Sequence, residues 1–224
     1  MSDGRPVSPY LAPGFYDRAL SQGRHRDIVG GRWDETGRAQ MDVLRAAGLR
    51  PDHRLLDVGA GALRLGCRAV PWLDPGNYWA TDASGALMRR GREVELADPA
   101  RLPVEQLIED AEFAYPGVTP RIDVAIAFAV FTHLPHDRLA AALGRARVRF
   151  PGLRAFLFTV FLVPEDRFAG AFRQADGVVT HPARPPWHMT EAVLRALTEA
   201  AGFGMDLRDT VLPRGQRLVE ARPK

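Results

Sequence analysis

Two acidic residues and a pair of glycines form the part of this sequence best suited to hold a small ligand. Asp57 lies in the apolar run Leu55–Val58, and Gly59 and Gly61 follow directly. Glycines at such a turn let the backbone approach a ligand closely. Asp82 follows the next apolar segment, where a carboxylate can accept hydrogen bonds from both hydroxyls of a ribose. The spacing therefore indicates a ribose-containing ligand at this turn.

The turn does not match the two common phosphate-binding motifs. In a dinucleotide-binding fingerprint a third glycine follows in the pattern G-x-G-x-x-G. Here Leu63 and Arg64 follow Ala62, and the next glycine, Gly66, is out of register. A P-loop is also excluded, because no Gly-Lys-Ser/Thr follows.

His133 is the candidate catalytic residue. It follows a predicted strand, and the ordinary histidine pKa of about 6.5 suits a general base near neutrality. The alternative is a structural histidine that holds the turn against Asp137 or a backbone carbonyl. His133 and His136 also form an H-x-x-H pattern, but Pro135 lies between them and no third ligand is evident. We therefore expect no metal.

A long segment without predicted regular structure, Pro164–His188, carries further polar and aromatic residues, among them His181, Arg184 and Trp187. Loops of this length are uncommon unless they are functional. Two interpretations remain open: a lid over a substrate, or a surface loop.

Composition indicates an ordinary folded protein. The chain has 224 residues, 46% hydrophobic and 25% charged, which fits one domain. Cys67 is the single cysteine, which excludes an internal disulfide and a multi-thiolate metal site. The longest apolar runs, Val124–Phe131 and Ala155–Val163, are far shorter than the roughly 20 residues of a membrane helix. With no secretory signal pattern at the N-terminus, we expect a cytoplasmic protein without a membrane segment.

The net charge of +3 gives only a weak indication of nucleic-acid binding. Lys224 is the only lysine, and the arginines are scattered. The densest arginine cluster, Arg145, Arg147 and Arg149, has a spacing of two that distributes the side chains around a helix. We interpret this cluster as a solvated face.

Hydrophobic periodicity and capping residues predict alternating strands and helices. The predicted strands are Arg54–Val58, Tyr78–Thr81, Leu107–Ile108, Ile122–Phe128, Arg154–Phe161, Gly204–Arg208 and Gln216–Ala221. The predicted helices are Glu35–Ala47 after an Asp34 N-cap, Leu63–Val70 ending at Pro71, one capped by Ser84, one capped by Asp137 and running to about Arg149, and one capped by Thr190 and ended by Gly202. This pattern predicts an α/β fold with a seven-stranded, mostly parallel, doubly wound sheet and helices on both faces.

Ligands of such sheets bind at the carboxyl ends of the strands, near the point where the strand order reverses. The predicted site therefore collects Gly59–Leu63, Asp82–Ser84, Asp110–Phe113 and Phe128–His133.

These residues give the chain a resemblance to the class I S-adenosylmethionine-dependent methyltransferases, from about Leu55 to Val219. The segments that carry it are LLDVGAGALRLG, YWATDAS, RIDVAIAFAVFTHLP, LRAFLFTVFL, TEAAGFGMDL and GQRLVEA. Arg64 departs from the pattern, since many members have a small residue there. The run from Arg26 to Leu44 is also similar to a segment that folds over the cofactor in a subgroup of these enzymes.

The resemblance implies a Rossmann-like methyltransferase fold with S-adenosylmethionine as cofactor and S-adenosylhomocysteine as product. It places Gly59, Ala60 and Gly61 at the methionyl part of the cofactor, with Asp57 ordering the turn. Asp82 and Ala83 lie at the ribose, and Glu112 and Phe113, or Asp110, at the adenine. Phe128 is a further candidate contact, with a core position as its alternative. Trp33, Gly37 and Gln40 become candidate residues of the cofactor cleft. Residues 1–34 are expected to form an arm or lid, 35–224 the methyltransferase domain, and 164–188 a substrate lid within it.

The implied reaction is methyl transfer to an oxygen, nitrogen or carbon nucleophile of a small molecule. Thr132, His133, Arg184 and Trp187 are the candidate contacts to that acceptor. A nucleic-acid methyltransferase is one alternative, although FAVF stands where an Asn/Asp-Pro-Pro-Tyr/Phe motif would be. A cofactor-binding partner protein without catalysis is the other. We expect a monomer or homodimer.

Overall fold

The computed structural model of the protein describes Ser8, Tyr10, Ala12 and residues 14–224, with Val211 described by its backbone alone. Its strands are β1 (Leu55–Val58), β2 (Tyr78–Asp82), β3 (Leu107–Glu109), β4 (Val124–Ala127), β5 (Ala155–Leu162), β6 (Phe172–Arg173), β7 (Val179–Thr180), β8 (His188–Met189), β9 (Phe203–Leu212) and β10 (Gln216–Pro223). Its α-helices are α1 (Asp17–Ser21), α2 (His25–Ile28), α3 (Trp33–Ala46), α4 (Gly66–Trp72), α5 (Gly85–Glu95), α6 (His136–Arg149) and α7 (Glu191–Ala200).

Seven strands form the main sheet in the order β3-β2-β1-β4-β5-β10-β9. The pairs among β1 to β5 are all parallel, whereas β10 is antiparallel to both β5 and β9. The strand order reverses between β1 and β4, so this is the point at which the fold predicts a ligand cleft. The predicted seven-stranded, mostly parallel sheet is confirmed. In addition, β8 pairs with the end of β5, and β6 and β7 form a separate hairpin.

Two apolar layers cover the sheet, because successive side chains of a strand point to opposite faces. Leu55 of β1 packs in a layer that also holds Met41 and Leu44 of α3, Val70 of α4 and Met88 of α5. Leu56 and Val58 of the same strand pack in the other layer, which holds Leu139 and Leu143 of α6 and Leu194 of α7. Helices therefore lie on both faces, as predicted.

The start of α3 differs from the prediction. The helix begins at Trp33 and is preceded by Arg32 with a φ of +47°, so Asp34 lies inside the first turn and not at the N-cap. The carboxylate of Asp34 instead accepts a hydrogen bond of 2.6 Å from Nη2 of Arg68 on α4. This ion pair joins the two helices.

The start of α4 and the cap of α6 also correct the sequence prediction. Leu63 has a φ of +62°, so residues 61–65 form turns and α4 begins only at Gly66. Pro71 lies inside this short helix and does not end it. Asp137 lies in the first turn of α6, where Pro135 occupies the N-cap position without a side-chain hydrogen bond.

Other local predictions are confirmed. Ser84 and Thr190 cap α5 and α7 by accepting hydrogen bonds from the backbone N–H groups of Leu87 and Val193. β3 forms at the predicted place and extends to Glu109. In the described part of the chain, no helix is both long enough and apolar enough to cross a membrane.

Candidate functional site

The turn after β1 requires glycine on two grounds. Gly59 and Gly61 have φ angles of +71° and +56°, which side-chain-bearing residues rarely adopt. A Cβ atom at Gly59 would also collide with Cγ2 of Val130, and one at Gly61 would lie 2.7 Å from Cγ1 of Val29. The backbone N–H groups of Gly59 and Ala60 both donate to the carbonyl oxygen of Thr81. The turn is therefore fixed against the end of β2.

Asp82 is held in place by the backbone on both sides of its carboxylate. One oxygen accepts from the N–H of Gly61 at 2.8 Å and the other from the N–H of Ser84 at 2.9 Å. The side chain is buried, and this burial raises the pKa of Asp82 to about 6. Each carboxylate oxygen can still accept another hydrogen bond. Asp82 is therefore a preorganised pair of acceptors beside the glycine turn.

Asp57 lies behind the turn and not in the cleft. It is buried and accepts a hydrogen bond of 2.7 Å from the hydroxyl of Tyr78. Burial raises the pKa of Asp57 to about 7, with the Tyr78 hydrogen bond acting in the opposite direction. Its arrangement supports the turn from inside the sheet, without contact to the cleft.

A cavity of about 240 Å³ opens at the carboxyl ends of the strands, between the sheet and the described residues before Asp34, which we call the arm. Most of the predicted cleft residues line it: Gln40, Gly59, Ala60, Gly61, Asp82, Ala83, Asp110, Phe113, Phe128, Thr132 and His133. One end is lined by the last residue of β2, Asp82, and by Asp110 just after β3. The other end is lined by Phe161 of β5, by Arg214 before β10 and by Gln216, the first residue of β10. The cavity thus crosses the point at which the strand order reverses.

Comparison with known proteins gives matches among solved structures alone: no protein-family model matches the chain, and no curated protein does. The magnesium protoporphyrin IX methyltransferase of Synechocystis PCC 6803 with bound SAM matches over 100% of both chains, with a TM-score of 0.65 and 16% identity. The 1,6-didemethyltoxoflavin-N1-methyltransferase of Burkholderia thailandensis matches 98% of this chain and 92% of its own, at a TM-score of 0.59 and 22% identity. Human N-acetylserotonin methyltransferase matches 98% of this chain and 60% of its own, at 0.65 and 19%.

The chain has the class I methyltransferase fold. The strand order and the antiparallel β9–β10 pair agree with this fold. The sequence resemblance had predicted the same fold. At these identities the likeness establishes the architecture.

Besides Asp57, five residues predicted as ligand contacts lie outside the cavity: Trp33, Gly37, Glu112, Arg184 and Trp187. Trp33 packs beneath Arg26, whose guanidinium lies 5.0 Å from the centre of the indole ring. Glu112 is exposed and forms a two-pronged ion pair with Arg138. Arg184 is an exposed residue of the predicted lid segment. The last, Trp187, lines no part of the cavity either.

Trp187 and Gly37 have structural contacts in place of the predicted ligand contacts. The backbone N–H of Trp187 donates to the carbonyl oxygen of Thr132 at 2.7 Å, and its ring packs against His136. Residues 164–188, the predicted lid segment, are thereby attached to the turn after β4. Gly37 is close to Arg68 and gives α4 room to approach α3. Trp187 and Gly37 are therefore packing residues. From the sequence, a tryptophan or glycine that serves packing cannot be distinguished from one that binds a ligand.

His133 lies on the cavity wall, after β4, where the sequence places it. Its ring packs edge-on against Tyr10, with 4.9 Å between ring centres, and forms no hydrogen bond within the described residues. Burial, together with the positive charge of Arg214, lowers the pKa of His133 to about 4. The ring is therefore neutral near pH 7. The alternative prediction was that the His133 ring holds the turn by a hydrogen bond to Asp137 or to a backbone carbonyl. Within the described residues the ring forms neither of these bonds.

Several cavity residues were not predicted from the sequence. Arg64 is buried, and its Nη1 donates to the carbonyl oxygens of Val29 and Gly31 at 3.0 and 3.1 Å. Burial lowers the pKa of Arg64 to about 10. The sequence offered one signal for Arg64 as a cavity residue: many members of the family have a small residue at this position.

The other missed residues come from distant parts of the chain. Tyr10 and Tyr16 of the arm line the cavity, as do Arg214 from the connection between β9 and β10 and Gln216, the first residue of β10. Arg214 donates through Nη2 to the carbonyl oxygen of Gly30 at 2.7 Å. The Pro213-Arg214-Gly215 stretch predicts only a turn, so sequence alone gave no reason to place these side chains in the cleft.

The arm is attached at a further point outside the cavity. Glu95, at the end of α5, accepts hydrogen bonds from Nε2 of His25 and from Nε and Nη2 of Arg26, at 2.6 to 2.7 Å. Together with Arg64 and Arg214, this cluster holds the arm over the glycine turn. That residues 1–34 act as an arm or lid stays a prediction, and residues 1–7, 9, 11 and 13 lie outside the described residues.

Proposed function

We propose that the protein transfers the methyl group of S-adenosylmethionine to an oxygen, nitrogen or carbon nucleophile of a small molecule, and releases S-adenosylhomocysteine. The observation that carries the proposal is Asp82, whose carboxylate is fixed beside the Gly59–Gly61 turn in a cavity that continues past His133. The methyltransferase fold and the full-length structural matches support it. The solved proteins named above act on small molecules according to their names, which favours the same class of acceptor.

The residues at the β2 and β3 end of the cavity fit an adenosine. Asp82 offers two acceptor oxygens for ribose hydroxyls, and Ala83 and Leu87 continue the wall after it. Phe113 adds an aromatic face beside them and adopts a φ of +57°. Asp110 uses its own carboxylate to hold this loop, through hydrogen bonds from the N–H groups of Glu112, Ala114 and Tyr115. Asp110 therefore shapes the adenine wall, and Phe113 is the better candidate contact.

The residues around the glycine turn fit the amino-acid part of the same molecule. Gln40 is buried on the cavity wall, and its Oε1 has no hydrogen-bond partner in the described structure. An ammonium group would supply the missing donor. Arg64 supplies a positive charge on the same wall, which suits a carboxylate. The glycines leave the backbone accessible between them.

When bound, S-adenosylmethionine supplies an electrophilic methyl group attached to a positively charged sulfur. The chain's contribution is alignment and exclusion of water, which are effective when the reacting groups are held in line. Tyr10 and Tyr16 of the arm and Pro186 of the lid segment close the cavity over the turn that carries His133. The neutral His133 ring can accept a hydrogen bond from an acceptor hydroxyl, amine or bridging water, and it is a positioned weak base.

A nucleic-acid acceptor has less support. The densest arginine cluster does not present a free basic stripe, because each guanidinium donates to a carbonyl oxygen of the protein itself. Arg145 bonds to Glu112, Arg147 to Lys224 and Arg149 to Val118. These arginines stabilise loop ends around α6.

Calorimetry with S-adenosylmethionine, S-adenosylhomocysteine and NAD tests the proposal directly. We expect both adenosyl ligands to bind and NAD not to bind. Asp82→Ala should weaken S-adenosylhomocysteine binding by about 1.5–3 kcal/mol, since charge-assisted hydrogen bonds are lost. The matched control is Asp52→Ala, which removes an exposed carboxylate paired only with Arg50. Binding of NAD in place of the adenosyl ligands would overturn the proposal.

A further inference from the structure

The far end of the cavity has its own chemistry, distinct from the adenosine end. Along the sheet, the cavity passes from β3 and β2 over the glycine turn of β1 and the His133 turn of β4 to β5 and β10. The cofactor proposed above occupies the first part, so the part beyond His133 is where an acceptor fits. We call this part the acceptor end. Its apolar walls come from Val130, Phe161, Val178, Pro186 and Pro213.

Gln216 is a buried polar residue at the acceptor end, and its amide has a fixed orientation. The hydroxyl of Thr159 accepts a hydrogen bond of 2.7 Å from the backbone N–H of Ala129. Because Thr159 is fully buried, the hydrogen of its hydroxyl also needs an acceptor, which is Oε1 of Gln216 at 2.5 Å. With its oxygen engaged, Gln216 keeps its Nε2 hydrogens free of any partner among the described residues. The Ala129–Thr159–Gln216 chain thus presents donors, not acceptors, toward the cavity.

Arg214 places a positive charge at the same end. It stands two residues before Gln216, has a φ of +68°, and reaches across to the carbonyl oxygen of Gly30. Arg214 is exposed on its outer side and lines the cavity near Tyr10 and His133. Burial raises the pKa of Tyr10 and lowers that of His133, and the nearby Arg214 charge opposes the first effect and adds to the second. A non-glycine residue in the left-handed region carries a conformational cost and is often kept at functional positions.

Among the described residues that line the acceptor end there is no carboxylate. Asp176 stands close to Gly215 but off the cavity wall, and its carboxylate accepts a hydrogen bond from the N–H of Val178. Asp82 and Asp110 are the carboxylates on the cavity wall, both lie at the adenosine end, and both are engaged by backbone N–H groups. The neutral His133 adds no charge. A positive field combined with oriented N–H donors disfavours a cationic acceptor and favours one with oxygens that accept hydrogen bonds.

We propose that the methyl acceptor is a small molecule with an apolar, ring-sized body and a carboxylate, which Gln216 and Arg214 bind together. This inference rests on the proposed function and specifies its substrate class. Arg214 supplies the charge, and the amide N–H groups of Gln216 set the direction of the hydrogen bonds. Thr159 is a positioning residue, because it acts through Gln216.

The test uses the full-length protein saturated with S-adenosylhomocysteine and two matched pairs of probes: benzoate against benzamide, and 2-naphthoate against 2-naphthamide. Calorimetry should show at least one carboxylate binding about tenfold or more tightly than its amide, as expected for charge-assisted hydrogen bonds. Arg214→Gln should remove most of this preference. Gln216→Glu keeps an oxygen for Thr159 but turns a second oxygen toward the cavity, so the preference should disappear or reverse.

Two further variants separate positioning from general loss of charge. Thr159→Val removes the hydroxyl that orients Gln216 and should reduce the preference several-fold, with S-adenosylhomocysteine binding unchanged. Arg121→Gln removes an exposed arginine that precedes β4, at the amino ends of the parallel strands and away from the cavity. This variant should leave the preference for a carboxylate intact. Retained S-adenosylhomocysteine binding shows in each case that the variant is folded.

The outcomes are distinguishable from a failure of the proposed function. If S-adenosylhomocysteine does not bind the native protein, the proposed function is wrong. If it binds but neither carboxylate is preferred over its amide, or if the preference survives in both Arg214→Gln and Gln216→Glu, the carboxylate acceptor is wrong and the methyltransferase proposal stands.

Discussion

Arg64 and Val29 are joined across 35 positions of the chain by a hydrogen bond of 3.0 Å from Nη1 of the arginine to the carbonyl oxygen. Nη1 also donates to Gly31, so a single buried guanidinium fixes the backbone of the arm on both sides of Gly30. Val29 in turn lies directly over Gly61. The arm is therefore attached to the turns that lead from Gly61 into α4.

Replacing Arg64 by glutamine should loosen the arm at this point. We expect faster hydrogen–deuterium exchange at residues 28–31 and S-adenosylhomocysteine binding weakened about tenfold, because both the attachment and a positive charge at the methionyl end are lost. Arg90→Gln, an exposed arginine paired with Glu93 on α5, is the control and should change neither quantity. Unchanged exchange at residues 28–31 in Arg64→Gln would show that the other contacts suffice.

A chain that begins at Asp34 should still fold. Among the described residues, the two apolar layers contain none before Ala39, so the truncation leaves the described core intact. It removes the wall formed by Tyr16, Val29 and Gly30, and S-adenosylhomocysteine binding should weaken. Circular dichroism checks folding and calorimetry checks affinity. Equal affinity in the truncated and full chains would remove the arm from the cofactor site.

Alanine substitutions can separate the two kinds of glycine in this chain. Gly59→Ala must adopt a positive φ and displace Val130, so we expect a loss of about 1–3 kcal/mol in the free energy of unfolding and loss of cofactor binding. Gly144 lies in the middle of α6 with open space around it. Gly144→Ala should instead stabilise the protein by about 0.4–1 kcal/mol. Urea unfolding of both variants measures the contrast.

Binding of S-adenosylhomocysteine should depend on the charge of Asp82. Burial raises its pKa to about 6, so the carboxylate becomes protonated below that pH and loses its strength as an acceptor. We expect affinity to fall as pH decreases through about 6, by up to about tenfold per pH unit. Asp82→Asn should bind weakly and without this dependence. Asp57→Asn, a buried carboxyl outside the cavity, should retain it.

The low pKa of His133 is measurable by NMR titration. We expect its ring to titrate near pH 4, with the signal assigned by its absence in His133→Ala. Between pH 6.5, the ordinary histidine pKa, and about pH 4, the unfolded chain binds a proton at His133 that the folded protein does not. The free energy of unfolding should therefore decrease as the pH falls from about 6.5 to about 4. A titration near 6.5 would show that the ring is not desolvated.

His133→Ala should also lower turnover, by about 10²–10⁴-fold if the ring accepts a proton from the acceptor. Cofactor affinity should be preserved, since His133 lies beyond the glycine turn. Sequence reasoning alone would place the loss of activity near pH 6.5, but the structure moves it to about pH 4. Near-normal turnover in His133→Ala would show that the ring is not needed as a base. Catalysis would then depend on the alignment of the acceptor nucleophile with the methyl group.

The fold could be predicted from the sequence, and so could the cavity residues that directly follow a strand. Gly59, Gly61 and Asp82 could be recognised because each directly follows a strand, and parallel strands bring their carboxyl ends together. Trp33 and Trp187 were wrong as cavity residues because aromatic character does not show which surface a side chain faces. Both pack against histidines and neighbouring chain segments.

The acceptor end could not be found in the same way. Arg214 and Gln216 reach the cavity only because the β9–β10 pair is antiparallel and places its connection beside β5. The donor character of Gln216 depends on Thr159 and Ala129, which are more than 50 positions away in sequence. Such an arrangement depends on the register of the final strands, and no local pattern of residue types encodes that register.

The attachment of the arm at Arg64 and at Arg214 has a kinetic consequence. One short stretch, residues 29–31, bonds to the methionyl side through Arg64 and to the acceptor side through Arg214. Displacing that stretch uncovers both halves of the cavity at once. Departure of the demethylated cofactor and departure of the methylated product should then share a single rate-limiting step, and a substitution that accelerates one departure should accelerate the other.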